Sequence, residues 1–110
     1  MSTFFYSIDQ IPEKELVPGF SARMVHTDEQ TIAHVRVIQG SILPEHHHPH
    51  RQITNIISGE LEMTVDGQTL ICPAGTVITI PSNVPHSARA ITDCHIIDVF
   101  LPVREDYRDM

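Results

Sequence analysis

Glu45-His46-His47-His48-Pro49-His50-Arg51-Gln52 holds four of the eight histidines of a 110-residue chain. A neutral imidazole is the commonest protein ligand for a metal, and such a cluster in so short a chain points to a divalent cation. In extended backbone, side chains of equal parity share a face, so His46, His48 and Gln52 turn together while His47 and Arg51 turn away. A solvated histidine run is the other reading of this composition. Its internal position, leading directly into alternating strands, argues against that reading. Three such ligands need a fourth from elsewhere if the cation is to keep positions open for water or substrate. His86, delivered by the double-proline loop Pro81-Ser82-Asn83-Val84-Pro85, is the natural choice, with a hydrogen-bonded loop histidine as its alternative. His50 shares the parity and is a spare candidate, although Pro49 disturbs the backbone beside it.

Outward from the cluster the pattern is one of short strands. Upstream, Phe20 to His26 and Thr31 to Ile38 alternate; Ala33, Val35 and Val37 take one face, and Ile32, His34 and Arg36 the other. Gly40 marks a bend, and Pro44 keeps the approach to the histidines extended. Downstream, Ile53 to Ile57 is β-rich, and Glu60 to Val65 alternates with Leu61, Met63 and Val65 inward. Asp66-Gly67 is a strong tight-turn signal. Gln68 to Cys72, Thr76 to Ile80, Ser87 to Ile91 and Cys94 to Leu101 complete the series. Strands separated by turn signals every eight or so residues, with no convincing helical stretch, predict an all-β sandwich or barrel. At the ends, Phe4 to Ile8 is expected to be an edge strand, Ile11 to Leu16 a turn ended by Pro18-Gly19, and Arg104 to Met110 a surface tail.

Size and charge narrow the partners. A chain of 110 residues with 41% apolar composition fits one domain. A net charge of −7, with 14 acidic residues against 7 basic ones, disfavours nucleic acid and anionic membrane surfaces, whose binding depends on clustered Lys and Arg. The N-terminus lacks the basic and apolar regions of a secretory leader, and no stretch reaches the ~18 apolar residues of a membrane span, so a cytoplasmic location is expected. Cys72 and Cys94 are expected to be reduced core thiols.

A second constellation lies in the last strand, where Ile96, Asp98 and Phe100 share a parity opposite to Ile97, Val99 and Leu101. If that face is interior, desolvation raises the pKa of Asp98 and makes it a usable base, while a nearby metal opposes the shift. An outward Asp98 paired with a surface arginine satisfies the alternation equally well.

Gly40, His46, His48, Gln52 and Gly59 stand in the register G-x5-H-x-H-x3-[EQ]-x6-G, and Pro73-Ala74-Gly75 leads through Pro81 and Pro85 to His86. In these two segments the chain resembles the cupin family. The resemblance implies a single-domain cupin-type β-barrel (jelly roll) over residues 1–110, with 1–30 as N-terminal strand and arm, 31–101 as barrel core and 102–110 as tail. It also implies one divalent metal ion (nickel, zinc, manganese, iron or copper) held by His46, His48, Gln52 and His86. Glutamine where the motif usually has glutamate makes that set neutral and leaves more positive charge on the metal. The H-x-H-P-H-x-Q form of the first motif, and the stretch from Asp98 to Tyr107, are similar to those of the KdgF group of small cupins. His47, Arg51 and Ile57 depart from that group's usual residues. This likeness implies a non-redox, isomerase-type enzyme that opens the ring of 4,5-unsaturated uronates from pectin and alginate breakdown. Asp98, Phe100 and Arg104 would be its acting residues, an anionic sugar its substrate, and a homodimer its assembly, with Phe4, Phe5 and Tyr6 as candidate contacts. A cupin dioxygenase using iron or copper, and a non-catalytic metal- or sugar-binding cupin, are the rival readings.

Overall fold

Alternating burial generates the architecture. The computed structural model describes residues 4–110, which form ten strands and one short helix. Strands β1 (Lys14–Val17), β2 (Phe20–His26), β3 (Thr31–Val37), β4 (Ile42–His46) and β5 (Arg51–Ser58) form the first half. β6 (Glu60–Val65), β7 (Gln68–Pro73), β8 (Val77–Ile80), β9 (His86–Ala90) and β10 (Cys94–Leu101) follow, and helix α1 (Glu105–Arg108) ends the chain. They assemble into a six-stranded sheet, β1-β2-β3-β10-β5-β8, and a four-stranded sheet, β4-β9-β6-β7. The expected barrel is therefore a jelly roll of two separate antiparallel sheets. Its core is built from the positions the alternation marks as inward, including Ala33, Val35 and Val37 on β3 and Leu61 and Met63 on β6. Burying the valine, leucine and methionine side chains stabilises by about 1.5–3 kcal/mol each, which is why the register is fixed: a slip by one residue would turn each strand's apolar set to water.

Turn chemistry agrees with the backbone. Asp66 (φ 50°) and Gly67 (φ 80°) both lie in the left-handed region, as a two-residue hairpin turn between β6 and β7 requires. Cys72 and Cys94 are buried free thiols. No helix of the described residues is long and apolar enough to cross a membrane.

Two expectations at the chain ends are corrected. Phe4 to Ile8 is not a strand: the segment is irregular and runs into a 3₁₀ turn at Ile8–Gln10. Arg23 Nη1 holds that turn by donating to the carbonyls of Ile8, Asp9 and Ile11 at 3.3, 3.1 and 3.0 Å. The sheet edge is instead taken by Lys14–Val17, within the segment expected to be a turn, because Pro18-Gly19 (Gly19 φ 84°) folds it back onto β2. The tail also departs from expectation. Val103 and Arg104 are each only 6% exposed, and Tyr107 of α1 packs against the core. Its anchor is tertiary, since Arg104 N donates to Thr31 Oγ1 at 2.9 Å across 73 residues of chain.

Candidate metal centre

Antiparallel pairing of β4 with β9 places His46 directly opposite His86. The histidine run is not one extended strand, because β4 ends at His46 and the chain bends at Pro49 and His50 before β5 begins. The side chains nevertheless sort as parity suggests: His48 and Gln52 are buried, His46 is half-buried, and His47 and Arg51 are exposed. His46, His48 and His86 bring ligand atoms within 4.8 Å of one another, a group able to hold a metal ion. His50 is not part of it.

Main-chain carbonyls set the tautomers. His46 Nδ1 donates to Pro44 O at 2.8 Å, His86 Nδ1 to Val84 O at 2.8 Å, and His48 Nδ1 to His50 O at 3.0 Å. With Nδ1 protonated in each ring, the three Nε2 atoms carry bare lone pairs, the form in which imidazole binds metals. His86 Nε2 is buried without a hydrogen-bond partner. His48 Nε2 lies 3.1 Å from Gln52 Oε1. That amide is oriented by a relay in which Gln52 Nε2 donates to Thr54 Oγ1 at 2.9 Å and Thr54 Oγ1 donates to Asp98 Oδ1 at 2.6 Å. Two acceptors thus face each other beside an orphaned third. Such an arrangement is costly when buried alone and is resolved by a cation, so the donor set fits a metal.

Burial tunes the charges. It lowers the pKa of His86 and, with the Arg104 charge adding to the effect, brings that of His48 down to about 4, keeping both rings neutral near pH 7. Asp98 is 8% exposed, and desolvation raises its pKa to about 6 against the opposing hydrogen bonds from Thr54 and Gln52 and the charge of Arg104. The alternation leaves the facing of Asp98 open; the structure turns it inward, paired with Thr54 across the β10–β5 ladder. The three imidazoles line a cavity of about 320 Å³ together with Asp98, Phe100 and Arg104 and the apolar side chains of Phe20, Val35 and Leu61.

Residues 33–100 match the cupin domain family, most of the chain. The chain is a cupin. It is 26% identical over 106 residues to the pectin degradation protein KdgF of Dickeya dadantii (strain 3937), covering 94% of this chain and 96% of that one. Among solved structures, an RmlC-like cupin from Shewanella frigidimarina NCIMB 400 superposes with a TM-score of 0.91 at 28% identity, covering 96% of each chain. KdgF from Halomonas sp. superposes with a TM-score of 0.89 at 25% identity, covering 96% of this chain and 99% of that one. This cupin is KdgF-like along nearly its whole length.

The site of this cupin contains side chains that sequence reasoning missed. Asp106 accepts two hydrogen bonds from Arg104, from Nε at 3.0 Å and Nη2 at 2.8 Å, and this pairing lowers its pKa. The Arg104 guanidinium lies 3.8 Å from the centroid of the Tyr107 ring and 4.7 Å from that of Phe100, a cation–π contact on each. Thr54 is the link between the imidazoles and Asp98. Parity along β5 puts Thr54 on the face of Gln52, a usable signal; nothing local marks Asp106 or Tyr107, which belong to a four-residue helix.

Proposed function

We propose that this cupin is a metal-dependent, non-redox isomerase that opens the ring of a 4,5-unsaturated uronate to the linear keto sugar acid. The observation that carries the reading is Asp98: a buried carboxyl with a raised pKa, hydrogen-bonded through Thr54 and Gln52 to the imidazole cluster. The likeness to KdgF, whose name ties that protein to pectin degradation, supports the substrate class.

Nε2 of His46, His48 and His86 and Oε1 of Gln52 would hold one divalent ion. Bound there, the ion supplies Lewis-acid polarisation of a sugar oxygen. Arg104, fixed by Asp106 and stacked on Tyr107, offers its remaining Nη1 to the substrate carboxylate. Phe100 presents a flat apolar wall to the sugar ring. Asp98 accepts the proton of the anomeric hydroxyl. The bond between C1 and the ring oxygen then breaks, C1 becomes an aldehyde, and the electron pair moves onto the ring oxygen as the enolate of C5. Return of a proton to C4 gives the ketone at C5. One proton leaves and one is added, so the step needs no oxidant. A base whose pKa stands near 6 is ionised at neutral pH yet basic enough to take part.

The test follows the absorbance of the unsaturated uronate with metal-loaded wild type and with Asp98→Ala. Loss of the band much faster with wild type is expected. Equal rates with the two proteins would overturn the reading.

A further inference from the structure

Opening of the sugar ring leaves an enolate that gains a proton at C4, and the groups around the cavity differ in their freedom to give one. The Nδ1–H of each imidazole is committed to a main-chain carbonyl, and each Nε2 carries a bare lone pair. The Gln52 amide donates to Thr54, and the Thr54 hydroxyl donates to Asp98. Arg104 is a permanent cation that does not give up a proton. Glu45 is exposed to water, and Asp98 serves the anomeric hydroxyl. The acidic hydroxyl that is left among the lining residues belongs to Tyr107 of α1.

We propose that Tyr107 is the catalytic acid that delivers the proton to C4 of the uronate, a role that rests on the ring-opening reading above. The O–H bond of the phenol breaks and its electron pair stays on the phenol oxygen. A C–H bond forms at C4, and the enolate oxygen on C5 becomes the ketone. The phenolate then takes a proton from water while Asp98 returns one to water, so both groups end the cycle as they began it and no oxidant or reductant is needed.

Position supports the assignment. The Arg104 guanidinium lies 3.8 Å from the centroid of the Tyr107 ring, and the substrate carboxylate that it would hold is carried on C5, the neighbour of C4. The grip on the carboxylate therefore brings C4 toward the phenol stacked on the same guanidinium. Phe100, the wall for the sugar ring, meets the Tyr107 ring edge-on at 6.0 Å between centroids and the His48 ring at 5.9 Å. One aromatic side chain thus joins the imidazole cluster to the phenol. The electrostatics agree with the geometry. Burial raises the pKa of Tyr107, which keeps the proton on its oxygen at neutral pH, and the opposing charge of Arg104 favours the phenolate that the transfer creates.

Tyr107→Phe keeps a ring against Arg104 and removes only the hydroxyl. With metal-loaded full-length protein and a 4,5-unsaturated uronate, it is expected to lower kcat for loss of the absorbance band by about 10²-fold. KM is expected to stay within about twofold of wild type, with the content of bound metal unchanged. In deuterium oxide, proton NMR of the early product is expected to show wild type placing deuterium on one face of C4 and Tyr107→Phe placing it on both. Should Tyr107→Phe fail to fold, Tyr107→Trp also presents a ring to Arg104 without an acidic hydroxyl, and the same outcomes are expected. A variant with the wild-type kcat, or one that still deuterates a single face, overturns the inference, because a ring that only supports Arg104 is replaced by phenylalanine without loss. A wild type that leaves the uronate unconsumed removes the ring-opening reading and this role with it; an active wild type matched by Tyr107→Phe removes this role alone.

Discussion

The two sides of β5 and β10 carry different chemistry. Toward the cavity these strands present Gln52, Thr54, Asp98 and Phe100; away from it they present Ile53, Ile97 and Val99. Three polar side chains are thus enclosed among the apolar Ile56, Ile96 and Phe100, while isoleucine and valine share the outward side with Arg51, Asn55 and His95. The inward groups tolerate burial because they satisfy one another, each donor in the Gln52–Thr54–Asp98 relay having its acceptor. The outward groups need no partners within the chain. A strand with a period of two can carry both sets at once, and β10 and β5 are neighbours within the six-stranded sheet.

Changes on the inward side should have the largest effects. Asp98→Asn, which keeps the shape and removes the base, is expected to lower kcat by about 10²–10⁴-fold while the bound metal, measured by elemental analysis, stays at the wild-type level. His86→Ala should do the opposite to the metal: it removes one lone pair of the cluster, and retention of nickel or zinc through gel filtration should fall at least tenfold below wild type.

The same carboxyl makes a prediction about stability. In metal-free protein the pKa of Asp98 is raised from 3.8 to about 6, so the unfolded chain loses this proton at a lower pH than the folded one does. The favourable contribution of the protonated group is complete below pH 3.8 and is lost as pH rises through about 6. Relative to Asp98→Asn, the metal-free wild type should lose about 3 kcal/mol across that window, because each tenfold difference in proton affinity between folded and unfolded chain is worth about 1.36 kcal/mol. Urea unfolding at pH 4 and pH 7 measures it, and an unchanged difference between the two proteins would place the carboxyl in water.

Smaller effects should sharpen the contrast. Arg104→Lys keeps the charge but loses the planar fork held by Asp106, and should raise KM by about tenfold with a lesser change in kcat. Thr54→Val removes the hydrogen bond that most lowers the pKa of Asp98 and should move the acid limb of the kcat/KM profile to higher pH. An acid limb that stays in place would remove Asp98 from the reaction.

Legibility in the sequence follows the range of the forces involved. The eight strands β2, β3 and β5 to β10, the inward faces of β3 and β6 and the Asp66-Gly67 turn are readable because alternation and turn chemistry act over a few residues. His46, His48 and His86 are readable because their residue type and spacing persist even where Pro49 and His50 bend the chain between ligands. The N-terminal region misleads: Phe4 to Ile8 has the composition of a strand, but the sheet edge goes to Lys14–Val17, which the Pro18-Gly19 turn folds onto β2. Asp106 and Tyr107 pass for part of a surface tail because their roles depend on Arg104, whose backbone is itself held by Thr31 on the neighbouring strand β3, 73 residues away in the chain.

The sequence by itself determined an all-β chain, its pattern of inward and outward residues, and a histidine set suited to a metal, since each of these is written in local spacing. Only the tertiary structure decided that Asp98 turns inward, that Gln52 Oε1 faces His48, and that the tail closes over the cavity. Each of those depends on strands far apart in the chain becoming neighbours, so that burial and hydrogen bonding, rather than residue order, select the outcome.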